Sequence, residues 1–185
     1  MIGNALEHMG HISLERGEDD RAAAFFTEAL EFHREMGDKH QVAHDLYGLG
    51  LVAWHRDDCQ QAKVLLKQSL TLRREIGDTR DIVSTIFELA RVAITERQYG
   101  RAARLLGSIA ALLEVFFEIG HRRYDDAART LRAQMDEAMF DKVYAEGRAM
   151  SLQRATEYAL ENVKNVWGRP GACPEQSRRV VALNV

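Results

Sequence analysis

Residues 5–38 read ALEHMGHISLERGEDDRAAAFFTEALEFHREMGD, and residues 45–78 read DLYGLGLVAWHRDDCQQAKVLLKQSLTLRREIGD. At a shift of 40 positions the two stretches match in pattern along their whole length, with Gly10 opposite Gly50. A third, more divergent copy follows, in which Ala90 takes the glycine position. Repetition at this period is typical of stacked helix pairs, because one pair cannot bury its own apolar face.

Each copy predicts two helices, since its apolar residues recur at three- and four-residue spacing in both halves. Gly17 and Gly37 predict helix ends, because glycine readily takes the left-handed conformation of a C-cap. Asp19 or Asp20 is the predicted N-cap of the second helix, and Asp38 that of the third. The sequence therefore predicts an all-α fold: a right-handed α-solenoid of helix pairs with a period of 40 residues and a degenerate C-terminal helical cap.

The pattern predicts one helical domain over residues 1–166 and a mobile tail over 167–185. The repeats are predicted at about 3–38, 39–78 and 79–120, and the cap at 121–166. The third repeat is expected to have a longer second helix, since its closing glycine comes 43 rather than 40 positions after the previous one. In the cap we expect a degenerate fourth helix pair and a last helix that begins after Ser151. Both prolines lie in the predicted tail, at Pro170 and Pro174.

The composition argues against nucleic-acid and membrane binding. The formal net charge is -3, from 25 basic and 28 acidic residues that are interspersed, so no basic stripe is available for phosphates. Cys59 and Cys173 lie far apart and predict free thiols in a reducing compartment. There is no apolar run of about 18 residues, the length of a membrane-spanning helix. We expect a cytoplasmic protein with no direct nucleic-acid or membrane partner.

The sequence contains no recognisable catalytic or cofactor motif. G-x-S-x-G, H-E-x-x-H and C-x-x-C are absent, so we expect no catalytic residues, no cofactor and no enzyme activity. His40 and His44 are four apart on a predicted helix and can share a metal. A structural zinc site normally takes four ligands, however, and further ligands are not evident. We therefore expect exposed helix histidines and no metal site.

The repeats resemble the tetratricopeptide pattern, which appears twice with one small-residue change, at Leu6, Gly10, Ala22, Phe26 and Ala29, and at Leu46, Gly50, Ala62, Leu66 and Ser69. The period of 40 exceeds the usual ~34 of that family. The added residues resemble the long-helix variety in the C-terminal regions of bacterial LuxR-type transcription regulators and signalling ATPases. Residues 102–108, AARLLGS, and 145–152, AEGRAMSL, resemble the closing segment of those regulators. The phosphate loop G-x-x-x-x-G-K-[ST] is absent, so a stand-alone remnant, a fragment or a separately encoded sensor-like part is expected.

The resemblance implies a scaffold for protein-protein interaction, with a regulatory or sensor role, that binds a peptide or partner protein in its concave groove. The alternative is a self-association module that forms homodimers. Large aromatic residues at groove positions either anchor a ligand or fill space between the repeats. The groove positions that the resemblance implies are Asn4, Glu7, His11, Leu14, His44, Tyr47, Leu51, Trp54, His55, Ser84, Phe87 and Arg91.

Overall fold

A computed structural model describes residues 2–116 and 121–161 of the chain, and this part contains helices and no strand. The predicted all-α fold is confirmed. The predicted tail and the predicted end of the third repeat near Gly120 lie outside the described residues. The helices are α1 (Ile2–Glu15), α2 (Asp19–Glu35), α3 (Lys39–His55), α4 (Cys59–Ile76), α5 (Thr79–Thr95), α6 (Tyr99–Phe116), α7 (His121–Gln134), α8 (Glu137–Arg148) and α9 (Leu152–Leu160).

The first six helices form three pairs, α1 with α2, α3 with α4 and α5 with α6, and each pair stacks on the next. Mid-helix glycines admit the partner helix. A methyl group added at Gly10 would lie 2.8 Å from the ring of Phe26, and one at Gly50 would lie 2.9 Å from the side chain of Leu66. Because Phe26 and Leu66 are fully buried, the lack of a side chain at these glycines determines how closely the two helices of each pair approach.

The helix ends of the repeats use a left-handed residue, as predicted. Gly17, Gly37 and Gly77 have φ angles of 72°, 69° and 80°. Asp57 and Arg97 stand 40 and 80 positions after Gly17 and have φ angles of 60°. The turn inside each repeat therefore keeps one backbone shape, although only the first copy has the residue that favours it.

The N-cap prediction is confirmed at one position and wrong at another. Asp38 Oδ1 accepts hydrogen bonds from the backbone of His40 and Gln41, each at 3.1 Å. At α2 the capping position belongs to Glu18, whose side chain makes no capping hydrogen bond. The helix begins one residue earlier than predicted, so Asp19 and Asp20 lie in its first turn, where the helix dipole stabilises their charge.

The C-terminal cap differs from the predicted fourth helix pair, because α8 packs mainly against α6 and hardly against α7. Gly107 and Gly147 bring the two backbones together at this crossing. A Cβ atom on Gly107 would collide with the carbonyl oxygen of Tyr144, and one on Gly147 with that of Arg104. This close crossing holds α8 on α6, which leaves α7 to pack beside α5 and α6.

The last described helix, α9, lies against α4, α5 and α6. Ser151 is its N-cap, as predicted, and accepts a hydrogen bond from the backbone of Arg154. The helix ends at Leu160, because the backbone of Glu161 is no longer helical. Lys67 Nζ donates to the carbonyl oxygen of Leu160 at 3.0 Å, and Arg101 Nη2 donates to that of Ala159 at 3.0 Å. Two basic side chains of the repeats therefore satisfy the carbonyl groups at this helix end.

Candidate functional site

The first helices of the three pairs, α1, α3 and α5, are neighbours, and we call their shared exposed side the first-helix surface. His44, on α3, connects all three helices. Its Nδ1 atom lies 3.6 Å from Glu7 Oε1 on α1, and its Nε2 atom lies 2.8 Å from Asp81 Oδ2 on α5. Two predicted groove positions on neighbouring helices, Glu7 and His44, are therefore in contact.

Trp54 and Arg91 form the most distinctive contact on this surface. The Arg91 guanidinium carbon lies 4.0 Å from the centre of the Trp54 ring system, which is a close cation-π contact. Arg91 Nη1 donates to Glu88 Oε2 at 2.6 Å, and Trp54 Nε1 donates to Thr95 Oγ1 at 3.2 Å. Both members of the contact are half-buried, so they are held in place and still reach solvent.

A second guanidinium joins this group from α7. Arg123 Nη2 lies 3.0 Å from Glu88 Oε1, and its guanidinium carbon lies 5.6 Å from the centre of the Phe87 ring. The Glu88 side chain is only 3% exposed, whereas that of Arg123 is 60% exposed. Among the described residues, Arg91 and Arg123 thus share one buried carboxylate, so two positive charges face one negative charge beside Trp54.

Tyr47 occupies a more enclosed position on α3. The Arg73 guanidinium carbon lies 4.7 Å from the centre of the Tyr47 ring, and Arg73 is itself buried. Burial raises the pKa of the Tyr47 phenol well above its usual range. Tyr47 is thus held against a buried guanidinium, and its role in partner binding stays a prediction.

The comparison with known families identifies the first two repeats. Residues 1–75 match the family model described as Tetratricopeptide repeat. Tetratricopeptide repeats generally mediate protein-protein interaction and typically form non-catalytic scaffolds. No curated protein and no solved structure matches the chain. Among the described residues, no helix is both long and apolar enough to cross a membrane.

Most predicted groove positions on α1, α3 and α5 are at least partly exposed. Leu14 and Phe87 are instead 7% and 8% exposed and pack in the core. Asn4 Oδ1 lies 3.3 Å from His33 Nε2, and His55 Nδ1 lies 3.2 Å from Asp19 Oδ1. A role for these residues in partner binding stays a prediction. The half-buried members are Glu7, His11, His44, Tyr47, Leu51, Trp54, Ser84 and Arg91.

The sequence did not single out Glu88 or the buried pair of His33 and Asp45. His33 Nδ1 lies 2.6 Å from Asp45 Oδ2, and the two side chains are 3% and 0% exposed. Burial raises the pKa of Asp45 to about 6, and the hydrogen bond to His33 opposes the shift. The helical pattern places these polar residues on buried faces, and that conflict with their chemistry is the signal that could have identified them.

Proposed function

We propose that the chain binds a partner protein through a peptide or helix that lies on the first-helix surface. The contact between Trp54 and Arg91 carries this proposal. Tryptophan and arginine dominate the binding energy of many interfaces, because they bury large surfaces and also make polar contacts. Here the two side chains are adjacent, half-buried and supported by Thr95 and Glu88.

The side chains of Trp54 and Arg91 are ordered before a partner binds, and this favours the proposal. Association costs free energy for each flexible side chain that must be immobilised, on the order of 0.5–1.5 kcal/mol. The hydrogen bond from Trp54 to Thr95 and the one from Arg91 to Glu88 have already fixed these side chains. A partner that covers them therefore loses little affinity to ordering.

The charge of the site indicates the chemistry of the partner. Arg91 and Arg123 share the single carboxylate of Glu88, so an additional acidic group is favoured beside Trp54. The half-buried Leu51 lies one helical turn before Trp54 and offers an apolar contact. We propose a partner segment in which an acidic side chain follows or precedes an apolar anchor.

Peptide selection tests this function. A random-peptide display library is selected on the full chain, and the enriched peptides are synthesised and titrated by fluorescence polarisation. Trp54→Ala is expected to weaken binding by at least about tenfold, because it removes a hot-spot side chain. Val64→Ala is the control, since Val64 is an apolar residue of α4 that is 51% exposed. Equal affinities for the two variants would contradict the proposal.

We further propose that this binding serves a regulatory or sensor role in bacterial signalling or transcription. The support is the resemblance of residues 102–108 and 145–152 to the closing segment of LuxR-type regulators. Bacterial two-hybrid pairing with the ATP-binding module of such a regulator tests this role. An interaction that Trp54→Ala abolishes is expected, and no interaction with any such module would count against it.

A second candidate function is self-association through α1. Ile2, Met9 and Ile12 lie on one stripe of this helix and are 66%, 44% and 45% exposed. An exposed apolar stripe of this kind can pair with a copy of itself. Light scattering coupled to size exclusion tests this alternative. It predicts a dimer that Ile12→Glu converts to a monomer, and a single-chain mass at every concentration would rule it out.

A further inference from the structure

We propose a binding site for a divalent transition metal, with zinc as the best fit, formed by His40 and His44 of α3 and Asp81 of α5. One ligand atom from each of these residues lies within 4.8 Å of the other two. The sequence alone favoured exposed histidines at this place. Asp81 lies 37 positions after His44 and belongs to the next repeat, so only the fold brings it to the pair.

The geometry of the three side chains suits a shared ion. His40 and His44 are one helical turn apart, the spacing that puts two imidazoles on one face of a helix, and their ring centres are 4.7 Å apart. Asp81 Oδ2 already lies 2.8 Å from His44 Nε2. Bonds to zinc of about 2.0–2.1 Å place tetrahedral ligand atoms about 3.3–3.4 Å apart, so the contact between His44 and Asp81 opens slightly and His40 moves toward them. The His40 side chain is 51% exposed and is free to make that adjustment.

Nearby carboxylates favour a cation at this place. Glu7 Oε1 lies 3.6 Å from His44 Nδ1, and Asp78 Oδ2 lies 3.3 Å from His40 Nε2. Carboxylates beside ligand histidines orient the rings and raise their basicity. One positive group opposes them, since Arg73 Nη2 lies 3.5 Å from Asp81 Oδ2. His11 Nε2 also lies 3.8 Å from Glu7 Oε1. Among these described contacts, the carboxylates of Glu7, Asp78 and Asp81 outnumber the Arg73 guanidinium, which favours a divalent ion.

The ligand types select the class of metal. Two imidazoles and one carboxylate suit zinc and its first-row neighbours, whereas magnesium and calcium prefer sites made only of oxygen. Three protein ligands leave a fourth position for water, because His40, His44 and Asp81 are all partly open to solvent. The ion would join the second repeat to the third. This proposal does not depend on partner binding.

Calorimetric titration of the full chain, prepared without a histidine tag, tests the site with zinc chloride as the probe. We expect one saturable zinc ion per chain, and visible absorption of tetrahedral cobalt when Co²⁺ replaces zinc. His40→Ala and His44→Ala are each expected to weaken binding at least tenfold. Glu7→Gln, which alters only a neighbour of the ligands, is expected to weaken it about tenfold.

His55→Ala is the matched control, because His55 also pairs with an aspartate of a neighbouring repeat, Asp19, and is 37% exposed. This variant is expected to bind zinc like the parent chain. Circular dichroism establishes that each variant is folded, and His40→Ala is the safest variant because of its exposure. The absence of saturable binding, or equal binding by His40→Ala and the parent chain, would overturn the proposal.

Discussion

His33 and Asp45 join the first repeat to the second through a buried contact of 2.6 Å between Nδ1 and Oδ2. Forty positions later, Arg73 Nη1 donates to Thr85 Oγ1 at 2.6 Å between the second repeat and the third. Both contacts link the end of a second helix to the next first helix. The solenoid therefore places a polar contact at the equivalent position of both junctions, which fixes how neighbouring repeats are oriented, since buried polar groups require partners.

Removing the imidazole at this junction is expected to destabilise the fold. In His33→Ala the Asp45 carboxyl loses its partner, and its Oδ1 atom already has none among the described residues. We expect a loss of about 3 kcal/mol in the free energy of unfolding, the range for breaking a buried pair. Urea unfolding measures this loss. The exposed His8 provides the control, since His8→Ala is expected to change stability by less than about 0.5 kcal/mol.

An added methyl group is expected to destabilise the fold at Gly147, where α6 and α8 cross, and to stabilise it at Gly100. Gly147→Ala places a methyl group against the backbone carbonyl of Arg104, which cannot rotate away. We expect a loss of about 3 kcal/mol through overpacking. Gly100 lies in α6, and a methyl group there meets no atom within 4 Å.

Gly100→Ala is therefore expected to raise stability by about 0.5–1 kcal/mol, because alanine is the better helix former. Thermal unfolding compares the two variants with the parent chain. A melting temperature that falls equally in both variants would show that the crossing of α6 and α8 does not cause the loss of stability in Gly147→Ala.

The left-handed turn position predicts a stabilising substitution. Arg97 has a φ angle of 60° and is exposed, and it stands where the first repeat has Gly17. Relief of the left-handed strain is worth roughly 1 kcal/mol, so Arg97→Gly is expected to stabilise the fold. Gly17→Ala is expected to destabilise it by a similar amount, and chemical unfolding measures both. Stability that falls in Arg97→Gly would contradict the strain argument.

The sequence predicted those parts of the fold that depend on local pattern. Helix pairs, the glycine opposite Phe26 and the cap at Asp38 all follow from residues within one repeat. The contact of Gly147 with Arg104 was not predicted, because α8 packs on α6 rather than on α7. His44 and Asp81 were likewise unconnected in the sequence, since their approach depends on the stacking of two repeats.

Part of the candidate surface could also be predicted from the sequence, because it too depends on local pattern. The positions of Trp54 and Arg91 on first helices follow from the repeat pattern. The contact between them could not be predicted, because it depends on the offset between α3 and α5. The support from Glu88 could not be predicted either, because the pattern assigns the position of this buried acid to the core. Chemistry also changes between repeats, from His33 to Arg73 and from Asp45 to Thr85, which hides a repeated contact.

Hydrogen exchange of the chain with and without a selected peptide tests most directly whether a partner lies on the first-helix surface. The account predicts slower amide exchange in α3 and α5, the helices of Trp54 and Arg91, and unchanged exchange in α8. It also predicts that this protection disappears in Trp54→Ala. Protection confined to α4 or α6 would contradict the account, because the partner would then bind on the second helices.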